Sequence, residues 1–147
     1  LAKAALPKLR PGASLLTLSY LGAVRYVPHY NTMGLAKASL EASVRFLAQS
    51  LGARGIRVNG IGTDLCQTPQ VDYHAGTEGK EKLWEIWAPV GRVGTPLEQA
   101  QVALFLASEL SSFVTGHNIP VDGGTRAGGG WFWSPERRRF VNRPWNP

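Results

Sequence analysis

The stretch Tyr30-Asn31-Thr32-Met33-Gly34-Leu35-Ala36-Lys37 decides the reading of this chain, together with Tyr20 upstream. A tyrosine and a lysine seven apart on a helix lie two turns apart on one face. An ammonium held near a phenol favours the phenolate, so such a tyrosine can release and recover a proton nearer neutral pH. Apolar residues recur at helical spacing from Tyr30 to Leu51, at Met33, Ala36, Leu40, Val44, Leu47 and Leu51. Gly52 is the expected C-cap.

Outward from that helix, Leu1 to Leu9 reads as helical and stops at Arg10-Pro11-Gly12, a turn signal. Ala13 to Leu18 reads as a strand buried on both faces, and Gly55 to Ile61 as a second buried strand. Tyr26 to His29 is a loop around Pro28, in which Tyr26 is expected to pack and His29 to be exposed. Residues 62 to 80 are loop-like, and Glu81 to Ala88 reads as a short helix. Thr95-Pro96-Leu97-Glu98 is a helix start: a capping threonine, proline at the first helical position and an acid in the first turn. Thr115-Gly116 turns into a third strand, His117 to Val121. Strands alternating with helices argue for a parallel α/β sheet.

The segments Leu18-Ser19-Tyr20-Leu21-Gly22-Ala23, Tyr30 to Lys37 and Ala38-Ser39-Leu40-Glu41-Ala42 resemble bacterial enoyl-acyl-carrier-protein reductases of the short-chain dehydrogenase/reductase superfamily. The resemblance is closest over residues 1 to 61. Later segments are widespread marks of the superfamily and are similar to ordinary short-chain dehydrogenases: Gly91-Arg92-Val93-Gly94-Thr95-Pro96, Ala103-Leu104-Phe105-Leu106-Ala107-Ser108, Val114-Thr115-Gly116 and Val121-Asp122-Gly123-Gly124. Superfamily members open with a glycine-rich turn that grips the dinucleotide phosphates, and no such spacing opens this chain. The expected fold is therefore the C-terminal half of a Rossmann-like, doubly wound α/β sheet of three parallel strands, without the phosphate-binding half. Residues 1 to 125 form this partial domain, and residues 126 to 147 form a tail rich in glycine, aromatics and arginine.

The resemblance implies NADH as cofactor, with NADPH as the alternative, and reduction of the trans-2 double bond of enoyl thioesters on acyl-carrier protein or coenzyme A in fatty acid biosynthesis. Tyr30 would stabilise the enolate oxygen, Lys37 would hold the nicotinamide ribose, and Tyr20 with Met33 would line the acyl site. Ser19, Thr63, Asp64 and Thr68 would meet the cofactor. Family members usually carry Pro-Gly or Ala-Gly at Thr63-Asp64, where a non-glycine residue meets a dihedral constraint. A homotetramer built on the helices starting near Tyr30 and Pro96 is also implied. Two other readings stay open. One is a short-chain alcohol dehydrogenase or ketoreductase, which would carry serine at the position of Tyr20. The other is an inactive fragment or interaction scaffold.

Composition bounds these readings. The chain has 147 residues, of which 44% are hydrophobic and 18% charged, which suits a globular fold. Cys66 is the single cysteine, so no internal disulfide forms, and a reducing cytoplasm is expected. No basic-then-apolar leader and no apolar run near ~18 residues is present, so no membrane association is expected. His74 and His117 lack partners at metal-ligand spacing, so no metal site is expected. The net charge of +6 is partly concentrated in Arg126, Arg137, Arg138, Arg139 and Arg143. It reads as a solvated basic tail that packs on a neighbouring subunit rather than as a nucleic-acid surface.

Overall fold

Helix α1 (Ala2–Ala5) continues into a short 3-10 turn, Leu6–Lys8, and the chain enters strand β1 (Ser14–Tyr20). A second 3-10 turn, Leu21–Ala23, leads to helix α2 (Asn31–Gly52), followed by β2 (Arg57–Thr63), helix α3 (Pro96–Ala107) and β3 (Asn118–Val121). The structure is a computed structural model and describes residues 1–69, 88–128, 132–134 and 136–141. The helix expected over residues 81 to 88 lies largely outside the described residues. Strand order is β1-β2-β3. Successive bonds climb β2 and the β3 approach together, Gly116 N to Val58 O and Gly60 N to His117 O, as a parallel ladder requires. The expected three-stranded parallel Rossmann-like sheet is present.

By contact density the described chain forms two units. The first comprises Leu1–Gly62 with Gln101–Ile119, and the second Thr63–Ala100 with Pro120–Pro147. The core of the first unit is the inner stripe of α2 (Val44, Ala48, Leu51) against Ile56 and Val58, with Leu6, Leu9, Ala13, Leu15 and Leu47 packed around it. β2 is buried from Arg57 to Gly62, in line with the buried strand expected over Gly55 to Ile61. β1 corrects the expectation of burial on both faces: Leu16 and Leu18, at alternate positions on one face, are exposed.

The end of α2 also differs from the reading. Gly52 is still helical, and the left-handed residue is Gly55, at φ +69°. Ile56 N donates to Leu51 O, and Gly55 N donates to Gly52 O. These are the two bonds of a Schellman turn. Leu51 and Ile56, its flanking apolar pair, are both buried in the core.

In the second unit, α3 starts as its sequence predicts. Glu98 N donates to Thr95 Oγ1, while Thr95 N donates to Glu98 Oε2 at 2.8 Å, a reciprocal capping box. The Asp122 carboxylate accepts from Gly124 N and Arg126 N, which fixes the turn after β3. Beyond it, β4 (Phe132–Ser134) pairs antiparallel with β5 (Arg139–Val141), with Trp133 opposite Phe140. The sequence reading did not anticipate this hairpin.

Candidate active site

The residues after β1 and the start of α2 meet at close range. Gly22 lies where an added Cβ would run into the Tyr30 ring, at Cδ1 and at 2.7 Å from Cε1. A Cβ on Gly34 would sit 3.0 Å from the Gly22 carbonyl oxygen. The two glycines therefore let the 3-10 turn and the helix approach until the Tyr20 and Tyr30 rings touch. Their centroids are 5.1 Å apart with planes at 69°, an edge-to-face pair. Tyr30 is the residue that caps α2, just before its first helical turn.

Lys37, two turns along α2, donates from Nζ to the Leu18 carbonyl at 2.9 Å. Leu18 is thus the strand residue that ties the lysine to the segment carrying Tyr20. An ammonium has three N–H donors, so two remain for vicinal hydroxyls of a ligand. Met33 is half-exposed on the same helix. Among the described residues, no hydrogen bond engages the Tyr30 hydroxyl.

Ser19, expected to meet the cofactor, is a buried residue of β1. It is 1% exposed, and its hydroxyl donates to Glu41 Oε1 at 2.7 Å. Sequence reading missed Glu41, and the only signal available was a carboxylate one helical turn after Lys37. It also missed Arg57, a cation buried in β2. Its guanidinium donates to Leu106 O at 2.8 Å, Ser111 Oγ at 2.7 Å and Ser108 O at 3.1 Å. The guanidinium thereby caps the C-terminal end of α3. Tyr26, expected to pack, is 83% exposed. His29 is exposed, as read, and holds a left-handed φ of 61°.

The remaining cofactor candidates belong to the second unit. Thr63 ends β2, and Asp64 after it is buried. Neither takes a left-handed φ, so the dihedral conflict expected of a non-glycine pair does not arise in this loop. Thr68 is half-buried. The segment between them is held by Gly94, whose N–H donates to Leu65 O and whose carbonyl accepts from Gln67 N. Cys66 bridges to Gly94 in that pairing. Its thiol is pushed above its ordinary range by burial, and further by the Glu98 carboxylate. Glu98 is itself held down to about 2 by Arg92, whose Nη2 lies 2.6 Å from Oε1, and by the Thr95 N–H and hydroxyl. Among the described residues no cluster of histidine, cysteine and carboxylate suits a metal, and no helix is long and apolar enough to cross a membrane.

The sequence profile described as enoyl-(acyl carrier protein) reductase matches residues 1–126. This chain belongs to that family. The enoyl-acyl-carrier-protein reductase (NADH) of Nostoc sp. is 48% identical over 124 residues, covering 84% of this chain and 48% of that protein. Its Escherichia coli counterpart is 44% identical over 127 residues, again 84% of this chain and 47% of that protein. The chain thus spans about half the length of these relatives. Among solved structures, a short-chain dehydrogenase/reductase (glucose/ribitol dehydrogenase) from Brucella melitensis superposes with a TM-score of 0.79 at 34% identity. The match covers 85% of this chain and 50% of that one. A short-chain dehydrogenase family protein from Francisella tularensis gives 0.79 at 28% identity, covering 85% and 55%. The fold read from the sequence and the family resemblance both stand. Residues 127–147, including the hairpin, lie beyond the family match.

Proposed function

We propose that this chain carries the reacting residues of an NADH-dependent enoyl-thioester reductase of fatty acid biosynthesis, acting on acyl-carrier-protein-bound or coenzyme-A-bound substrates in the cytoplasm. The observation that carries the reading is the constellation of Tyr20 against Tyr30 with Lys37 fixed on the Leu18 carbonyl. NADH, when bound, supplies a hydride for the β-carbon of a trans-2-enoyl thioester, leaving charge on the thioester oxygen. The Tyr30 hydroxyl donates a hydrogen bond to that oxygen and stabilises the enolate. Lys37 uses its two remaining N–H donors on the nicotinamide ribose hydroxyls and keeps the local field positive. The Tyr20 ring braces Tyr30 and, with the half-exposed Met33, forms an apolar wall for the acyl chain. Thr68 offers a hydroxyl, and the Thr63–Asp64 segment backbone groups, for the carboxamide.

The relatives' names support this substrate class, and the donor set fits a dinucleotide ribose. The structural matches named as dehydrogenases favour a second reading, an alcohol dehydrogenase or ketoreductase, but Tyr20 stands against it. A Tyr20→Ser variant that gained alcohol oxidation would support it. We further propose self-association through α2 and α3, which leave Leu35, Phe46 and Leu104 exposed. Light scattering of the purified chain tests that point.

Titration of the chain with NADH and NADPH, followed by nicotinamide fluorescence, tests the cofactor assignment. Saturable NADH binding that Lys37→Met weakens about tenfold or more, in line with losing charge-assisted hydrogen bonds, is the expected result. Binding indifferent to Lys37, or none to a folded sample, would overturn it.

A further inference from the structure

Lys37 and Glu41 are one helical turn apart on α2 and so share a face. They engage successive residues of β1. Lys37 Nζ donates to the Leu18 carbonyl at 2.9 Å, and Glu41 Oε1 accepts from the Ser19 hydroxyl at 2.7 Å. Along the strand, Leu18 is exposed, Ser19 is buried and Tyr20 is half-buried, so Ser19 is the inward anchor between the lysine's acceptor and the candidate tyrosine. Glu41 is 6% exposed, and its main-chain oxygen also accepts from Asn118 Nδ2 at 3.3 Å. The same residue is therefore tied to β1 through its side chain and to β3 through its backbone. A carboxylate in the middle of a buried helix face costs free energy that an apolar side chain would not. That cost calls for a gain elsewhere, and the Ser19 contact shows where it lies.

We propose that Glu41 is a positioning residue. Through Ser19 it fixes the end of β1, so that the Leu18 carbonyl holds the Lys37 ammonium in place and the Tyr20 ring seats against Tyr30. Ser19 serves this clamp rather than the cofactor. The inference rests on the reading of Tyr30 and Lys37 given above, but the clamp itself is tested without cofactor or substrate.

The experiment is NMR of the full chain, isotope-labelled, in four forms: unaltered, Ser19→Ala, Glu41→Ala and Glu41→Gln. Three signals are read: the Lys37 side-chain ammonium, the inter-ring contacts of Tyr20 with Tyr30, and the amides of Val44 to Leu51. In Ser19→Ala and Glu41→Ala, the Lys37 signal moves to that of a free lysine and the inter-ring cross-peaks fall several-fold. The amides of Val44 to Leu51 hold their positions. Glu41→Gln keeps an acceptor oxygen and retains both site signals. Unchanged Lys37 and tyrosine signals in folded Ser19→Ala overturn the proposal, as does a Glu41→Gln chain that loses them as fully as Glu41→Ala. Should Glu41→Ala not fold, Ser19→Ala and Glu41→Gln decide it. Failure of NADH binding would strike the reductase reading and leave this result untouched.

Discussion

The buried clamps of the first unit and the exposed ion pair of the second hold charge in different ways. In the first, polar and charged side chains are buried and tied to neutral partners: Glu41 to the Ser19 hydroxyl, and Arg57 to two carbonyls and the Ser111 hydroxyl. In the second, the leading charge pair is solvent-facing: Arg92 grips Glu98 at the start of α3. A buried charge with neutral partners must be fully hydrogen-bonded to persist, so each partner matters to stability and to position. An exposed pair is screened by water and salt and adjusts the response to pH more than the fold. The candidate reacting residues Tyr20, Tyr30 and Lys37 are themselves half-buried, and they stand beside the buried Ser19–Glu41 contact of the first unit.

The comparison can be broken at its strongest point. Arg57→Met keeps the aliphatic stem and removes three charge-assisted hydrogen bonds from the end of α3. Chemical denaturation should register a loss of about 2–4 kcal/mol; a loss under about 0.5 kcal/mol would remove the contrast between the units. Gly22→Ala comes next. Its Cβ meets the Tyr30 ring, so we expect a loss of about 1–3 kcal/mol from overpacking, together with disturbed Tyr20–Tyr30 contacts in NMR spectra. Gly52→Ala, where a Cβ would meet nothing within 4 Å, is the matched control and should not destabilise.

Smaller effects sharpen the other side. The Glu98 carboxyl is lowered from 4.5 to about 2 in the folded chain. Its contribution is therefore present above the unfolded value and is lost as pH falls through the window between them. Melting curves across that window should flatten in Glu98→Gln, and added salt should diminish the difference. A pH dependence identical in the variant would show that the Arg92 pair does not act. The smallest effect concerns Cys66. Its raised thiol pKa predicts slower alkylation near neutral pH than a free cysteine shows. Glu98→Gln should speed the reaction slightly.

Much of this was legible in the residues. Thr95-Pro96-Leu97-Glu98 specified the start of α3 because a capping box is local, and the structure adds Arg92 to it. Gly55 to Ile61 read as a buried strand and is one, and the periodic stripe of α2 specified Val44 and Leu51 as core. What escaped depends on partners far along the chain. Ser19 and Glu41 meet across 22 residues, and Arg57 and Ser111 across 54, so neither pairing has a spacing signal. Arg57 in particular reads as the polar edge of a strand until α3 supplies its acceptors. The apolar run of β1 reads the same whether one of its faces is covered or both, and only the fold shows Leu16 and Leu18 exposed. Gly52 and Gly55 are equally good helix stops by composition; the two Schellman bonds select Gly55.

The central claim, that Tyr30 and Lys37 serve enoyl-thioester reduction, is tested most directly by turnover. The chain is mixed with NADH and crotonyl thioester, and NADH absorbance is followed beside Tyr30→Phe, which keeps the ring and removes the hydroxyl. We predict NADH consumption that depends on the thioester and falls about 100-fold in Tyr30→Phe, the scale of losing one oxyanion donor. Equal rates in the two proteins, or no consumption by an unaltered chain that binds NADH, would contradict it.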